Sequence, residues 1–250
     1  MYRGTLFIGC VIGGIAASSS AETVTVTASR DATLYEFFDG SVANGAGQYF
    51  FAGKNNQNRA RRGLLYFDIA SMVPEGATIT DASLTLNMSQ TTAGAREVGI
   101  YRALTAWTSG LSDASEAEGS GTSALVNDAT WLWSSYDGNG GGATWNNAGG
   151  DFASTASASI TTQALGLYTW NSAGLLADVR AFATNANLNL GWFVIGDEST
   201  FGTARRFDSA DSGELGGIVP KLQIEFTTVP APGALATLAI AGLGARRRRR

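Results

Sequence analysis

Two short stretches concentrate the cations of this chain: Asn58-Arg59-Ala60-Arg61-Arg62 and Arg205-Arg206. Guanidinium forks match carboxylates and similar oxyanions bidentately, so clustered arginines are candidate binders of acidic groups. Tyr66 and Tyr101 fall out of phase with the apolar Phe67 and Ile100 beside them. In strands that phase turns their rings to the opposite face of a sheet. Flat aromatic faces beside a few polar groups are what sugar rings need. Arg62, Tyr66, Tyr101 and Arg206 are therefore the candidate binding residues, expected on one face. A second reading stays open, in which the arginines only pair with the surplus acids.

What is missing narrows the chemistry. The chain has no histidine and a single cysteine, Cys10. That excludes Ser-His-Asp and Cys-His catalysis and zinc sites built on histidine or cysteine. An enzyme here would have to be a carboxylate glycosidase or a Tyr/Arg polysaccharide lyase. Asp197-Glu198 is the one adjacent acidic pair, and such pairs also serve as surface or calcium groups. Structural calcium is the candidate cofactor, with Asp31, Asp39 and Asp208 as first ligands and Asp197 and Asp211 as further ones, since calcium takes six to eight oxygens. No EF-hand spacing occurs, and turn or capping aspartates are the competing reading.

Charge divides the chain into three parts. All 21 acidic residues lie between Glu22 and Glu225, and residues 22–229 hold eleven basic ones, a net charge of −10. Such a body repels phosphates on average, so nucleic acid is not an expected partner. Residues 1–21 have Arg3, an apolar run from Leu6 to Ile15, and then small residues, the layout of a secretory signal. Ser19 and Ala21 place the cut after Ala21. Phe7-Ile8-Gly9-Cys10 loosely resembles a lipoprotein box, a rival reading. Residues 229–250 carry an apolar run, Gly233 to Ala245, then five arginines. Thirteen residues fall short of the roughly 20 that a helix needs to span a bilayer. A basic stop behind a short plug fits a transient membrane stage better than a permanent span, with a weak anchor as the alternative.

The intervening body, residues 22–228, is long enough for one sizeable core. Period-two alternation at Thr23–Thr27, Ala82–Met88, Leu188–Val194 and Leu222–Phe226 predicts half-buried strands. Gly63–Ile69 is apolar on both faces and reads as a central strand. Pro74-Glu75-Gly76 is a turn. One segment, about 172–184, repeats at helical spacing, with Leu175, Leu176, Val179 and Phe182 on one face and Ser172 or Asn171 as cap. Residues 110–150 form a long Gly/Ser/Asp/Asn-rich loop holding Trp131, Trp133 and Trp145. Those rings are either anchors for the loop or stacking platforms for sugars. The fold expected is an all-β, jelly-roll-like antiparallel β-sandwich with one short helix and a long loop.

Five motifs occur in order: Arg62-Gly63-Leu64-Leu65-Tyr66-Phe67-Asp68-Ile69, Pro74-Glu75-Gly76-Ala77-Thr78-Ile79, Asp128-Ala129-Thr130-Trp131, Ala148-Gly149-Gly150-Asp151-Phe152 and Arg206-Phe207-Asp208-Ser209. Together they resemble the DNRLRE domain, also called the disaggregatase-related or CBM96 carbohydrate-binding module, over nearly all of residues 28–228. The chain departs from the family at Ser209-Ala210-Asp211, where an arginine and a glutamate often follow the serine. The tail, with Pro230, Pro232 and a cluster opening at Arg246, resembles bacterial PEP-CTERM sorting signals, departing at Ala231, where glutamate is usual. The resemblances imply a secreted or cell-surface bacterial protein that binds a polysaccharide, acidic ones included, without cleaving it. The other partners implied are signal peptidase and an exosortase-like processing enzyme. A structural component of the extracellular matrix or cell surface is the alternative function. N-terminal sequencing of the exported protein is expected to read from Glu22, and its intact mass to lack Arg246–Arg250. A lipid-modified Cys10, or a mature form ending in five arginines, would overturn these readings.

Overall fold

The structure, a computed structural model, describes residues 20–116 and 118–228. Most of the leader and the whole tail, including Pro230, Pro232 and Arg246, lie outside the described residues. The strands run in chain order as β1 (Ser20–Thr27), β2 (Arg30–Tyr35), β3 (Val42–Ala43), β4 (Tyr49–Lys54), β5 (Ala60–Tyr66), β6 (Thr78–Thr91), β7 (Arg96–Arg102) and β8 (Thr122–Ser123). They continue as β9 (Trp133–Tyr136), β10 (Gly142–Thr144), β11 (Ala158–Thr162), β12 (Gly166–Asn171), β13 (Trp192–Ile195), β14 (Arg205–Asp208) and β15 (Lys221–Thr228). Among the described residues one α-helix, α1 (Ala173–Thr184), lies between β12 and β13. The chain is all-β with one short helix, and every strand pairing among the described residues is antiparallel.

Eleven strands form one sheet that curls over itself. The first layer holds β1, β15, β6, β12 and β14; the second holds β2, β5, β13, β7 and β11. Strand β4 joins them. Tyr49–Ala52 pair with β14, whereas Gly53 and Lys54 pair with Arg61 and Ala60 of β5. Two small sheets, β9–β10 and β3–β8, lie apart from it.

The alternation in β6 and β15 puts Leu84, Leu86, Met88, Leu222, Ile224 and Phe226 into the space between the layers. Phe50 stacks on Phe207 there, with ring centroids 5.4 Å apart, and Trp170 meets Phe207 edge-on. Trp170 also crosses the core to donate its indole N–H to the Val98 carbonyl, at 2.9 Å. Ser172 caps α1 by accepting from the Leu175 N–H, and Leu175, Val179 and Phe182 bury the helix against the sandwich. The helix therefore starts and faces as its spacing predicts. Strand β13 is shorter than the predicted Leu188–Val194: residues Ala186–Leu188 form a 3-10 turn and Leu188 is exposed. Asn189 explains the delay, because its side-chain amide takes the Phe67 carbonyl and ties up this approach to the ladder.

The first two residues of β1, Ser20 and Ala21, fall on the leader side of the predicted cut but pair with Thr228 and Thr227. Pro74–Ala77 closes as a turn, with Ala77 N–H donating to the Pro74 carbonyl. No helix among the described residues is long and apolar enough to cross a membrane.

Gly53 stands where β4 leaves one layer for the other. Its φ is +106°, and a Cβ there would lie 2.8 Å from the Thr203 carbonyl oxygen. Both the dihedral and the space exclude a side chain. Gly53→Ala is expected to cost roughly 1–3 kcal/mol, read by urea unfolding; an unchanged midpoint would show that the corner tolerates relaxation.

Candidate functional site

The second layer is buried on both faces. Leu65, Phe67, Ile100, Trp192 and Val194 face the core between the layers. Ala32, Leu34, Leu64 and Phe193 face outward, where residues 103–152 cover them with Trp107, Trp131, Trp145 and Phe152. This double burial is why Gly63–Ile69 reads as apolar on both faces. The tryptophans divide by role. Trp107 and Trp145 are buried and donate to the Leu190 and Thr130 carbonyls, at 2.8 and 2.9 Å. Trp131 is buried as well, so these three anchor the loop. Trp133 is half-buried, stacks on Tyr136, and leaves its indole N–H without a partner among the described residues.

Register places three of the four predicted binding residues on this outward face. Ile195 of β13 pairs with Arg62 and Gly99, and Phe193 pairs with Leu64 and Tyr101; Tyr66 lies two residues beyond Leu64. Paired residues share a face. Arg206 does not join them. Phe207 turns into the core, so Arg206 turns out from the first layer, on the other side of the sandwich. There its guanidinium lies 3.8 Å from the Tyr49 ring centroid and its Nε donates to Ser89 Oγ.

Period-two alternation splits both arginine clusters in this way. Arg205 points inward and is 1% exposed, with its nitrogens donating to Thr162 Oγ1 and to the carbonyls of Thr162, Thr203 and Gly94. Arg61 is buried beside Tyr35, and burial pulls its pKa down to about 10. Arg59 lies over Phe37. The reading in which arginines merely pair with acids fails for most of them: among the described residues the ion pairs are Arg62–Glu198, Arg96–Asp197 and Arg102–Asp178.

Arg62 is the centre of the outward face. Its Nε and Nη2 grip both oxygens of Glu198 at 2.8 Å, and its Nη1 donates to the Gly149 carbonyl. The guanidinium also lies over Trp131 and Phe152. All three of its nitrogens are engaged, so Arg62 fastens the loop to the sheet and is not an open fork. Gly149 and Gly150, both at positive φ, permit this approach, since a Cβ at either would strike Arg62, Trp131 or Phe193. Asp151 holds the same turn. Burial opposes its charge, but bonds from Asn146, Thr105 and Asn147 outweigh that and keep its pKa below the ordinary value.

Two clefts flank this node. One, about 340 Å³, is lined by Arg62, Leu104, Thr105, Asn146, Asn147 and Phe152, among others. The other, about 430 Å³, is lined by Arg96, Glu97, Gly99, Tyr101, Ile195 and Asp197, among others. Tyr101 lies across Gly99, where a Cβ would come 2.5 Å from its Cε2, and meets Phe152 edge-on. Burial, then Glu97 and Glu198, raise its pKa, so the phenol is a neutral hydrogen-bonding group. Tyr66 is covered: the Arg30 guanidinium lies 4.0 Å above its ring. Arg30, Phe152 and Glu198 thus shape the face, although none of them is among the binding residues that the sequence predicts. The outward stripe Arg30, Ala32, Leu34 was the one signal available for the first of them.

The predicted calcium ligands do not converge. Asp39 is exposed and accepts from Ser41, while Asp208 faces out of the first layer and accepts from Asn87 and the Ile218 N–H. Asp31 is 2% exposed and accepts from the Ala210 N–H. Among the described residues no three acidic side chains form a metal-holding group. Asp208 Oδ1 is buried without a partner, but calcium wants six to eight oxygens around one point, and no such group gathers among the described residues.

No protein-family profile matches the chain, and no curated protein matches it.

Burial raises the Asp31 pKa well above the ordinary aspartate value; the Ala210 N–H pulls it down, and Asp211 and Glu118 push it up. As pH rises past about 4, the unfolded chain releases this proton while the folded chain keeps it, so stability falls. Asp31→Asn cannot titrate. Its stability relative to the native chain is expected to grow from pH 4 upward and to level off above the raised pKa. Urea unfolding across pH 4–8 tests this, and a pH-independent difference would show that Asp31 ionises freely.

Proposed function

We propose that the protein is a secreted or surface-attached bacterial protein that binds a polysaccharide without cleaving it, through the cleft beside Tyr101. The observation that carries this reading is the half-buried Tyr101 ring lining a cleft with Glu97, Asp197, Ser199 and Arg96. An aromatic surface ringed by polar groups suits a sugar, whose ring has apolar faces and hydroxyl edges. The five-motif resemblance to DNRLRE/CBM96 modules and the leader-like and PEP-CTERM-like ends support the same reading.

Charge refines it. Arg96 and Arg62 are matched by Asp197 and Glu198, so this cleft suits hydroxyl-rich sugar units better than strongly acidic ones. The same pairing supports a non-catalytic role. A glycosidase needs one carboxylic acid kept protonated by a raised pKa. Asp197 is shifted the other way, chiefly by the Ser199 hydroxyl with help from Arg96.

A polysaccharide array read for both retention and released product tests the class. Tyr101→Ala is expected to weaken binding about tenfold, ~1.4 kcal/mol, with its thermal transition little changed because the ring is only half-buried. Product release would make the protein an enzyme. Retention of no polysaccharide would favour a structural matrix or surface component.

A further inference from the structure

Arg30 stands out among the described cations. It leaves β2 on the outward face of the second layer, in register with Tyr66. Its guanidinium carbon lies 4.0 Å from the Tyr66 centroid and 5.0 Å from that of Trp107. Among the described residues its side chain has no ion pair and no hydrogen bond, and its Nε is sealed from solvent without an acceptor. Nη1 and Nη2 have no hydrogen-bond partner either, and Arg30 lines a cleft of about 280 Å³ with Thr108, Ser109, Gly110, Leu111, Val126 and Asn127.

A partly desolvated guanidinium without a counter-charge is costly, and cation–π contact offsets only part of that cost. In a body of net charge −10, acids are available to pair with it, yet none lines this cleft. Asp128 packs against Gly110 behind the cleft wall but is fully buried, its carboxylate accepting from the N–H groups of Leu125 and Ser112. Burial lowers the Arg30 pKa, with a smaller opposing effect from the Tyr66 hydroxyl and none from a carboxylate. Among the described residues Arg59 and Arg206 also have terminal nitrogens without hydrogen bonds but differ here: Arg59 lies over Phe37 with Asp39 nearby, and Glu116 and Glu118 line the Arg206 groove and repel anions.

We propose that the Arg30 cleft is a binding site for a singly charged oxyanion, a carboxylate or a sulfate ester, carried on a body the size of one sugar ring. The fork formed by Nη1 and Nη2 takes two oxygens of the anion side by side. Ser109 and Asn127, whose side chains make no hydrogen bond among the described residues, supply further polar contacts at the wall. Leu111 and Val126, 79% and 55% exposed, form an apolar rim over the ligand body. The volume is at the small end for ligand clefts, which limits the body to about one ring. The acidic surroundings disfavour multiply charged ligands. The site is separate from the Tyr101 cleft and does not depend on the polysaccharide proposal.

Titration of the secreted protein with sodium glucuronate, methyl sulfate and glucose at matched ionic strength, read by tryptophan fluorescence and thermal shift, tests the site. Saturable binding of glucuronate, methyl sulfate or both, tighter than any response to glucose, is expected, and the two anions identify the preferred oxyanion. Equal responses to all three, or to none, overturn the proposal. Arg30→Gln keeps a flat group between the rings and removes the charge; it is expected to raise the Kd at least about tenfold without lowering the unliganded melting temperature. A lowered melting temperature with unchanged binding would make Arg30 a structural clamp. Val126→Trp narrows the rim without entering the core and is expected to weaken binding too. Should Arg30→Gln fail to fold, undiminished binding by Val126→Trp overturns the assignment. Undiminished glucuronate binding by Arg30→Gln would put the anion at another cleft and overturn the proposal.

Discussion

The bidentate grip of Arg62 on Glu198, with its third nitrogen on the Gly149 carbonyl, is the contact on which the outer half of the molecule depends. A two-layer sandwich normally buries one face of each layer. Here the second layer also presents Leu34, Leu64 and Phe193 outward, and the segment after β7 must cover them. That segment has little regular structure of its own, so it needs fastening at defined points. Arg62 provides one by joining the sheet, the loop backbone and two aromatic rings. Asp151 provides another by gathering donors from both sides of its turn. The cleft beside Tyr101 lies where the cover ends, and the cleft beside Arg30 is walled by the cover itself.

An acidic protein would be expected to spend its few cations on carboxylates. Arg62, Arg96 and Arg102 do pair with acids, but most of the described arginines are placed against rings and carbonyls instead. Arg30, Arg59, Arg61 and Arg206 lie over tyrosine, phenylalanine or tryptophan, and Arg205 is held by a hydroxyl and carbonyl oxygens. A guanidinium is flat and weakly hydrated, so it tolerates such company where a lysine ammonium would not. The surplus negative charge is left on the surface and in short turns such as Asp39–Ser41 and Asp197–Ser199.

Local features were legible in the sequence where the cause was local. Helix α1 follows from Ser172 and the spacing of Leu175, Val179 and Phe182; β6 and β15 follow from strict alternation. The outward turn of Tyr66 and Tyr101 followed from phase with Phe67 and Ile100. What the rings would meet there did not, because Arg30 and Phe152 approach from 36 and 51 residues away in sequence respectively. The arginine clusters misled for a related reason. Neighbours in a strand point to opposite faces, so a basic dipeptide such as Arg205-Arg206 is two environments. That Arg206 lies a whole layer from Arg62 depends on β14 pairing with β4 and β6, a non-local choice that no short motif encodes.

The ladder between β1 and β15 has a mechanical consequence. Ser20 and Thr228 are directly paired, and Thr228 also donates to Glu22. The two ends of the folded body therefore leave from adjacent points on one rim. Force applied between them would open the ladder like a zipper, one pair at a time, at low load. Force applied at one end against a ligand held on the second layer would instead reach β1 or β15 along its length, where several pairs resist together. A body held by a single terminus would withstand flow far better than one stretched between both.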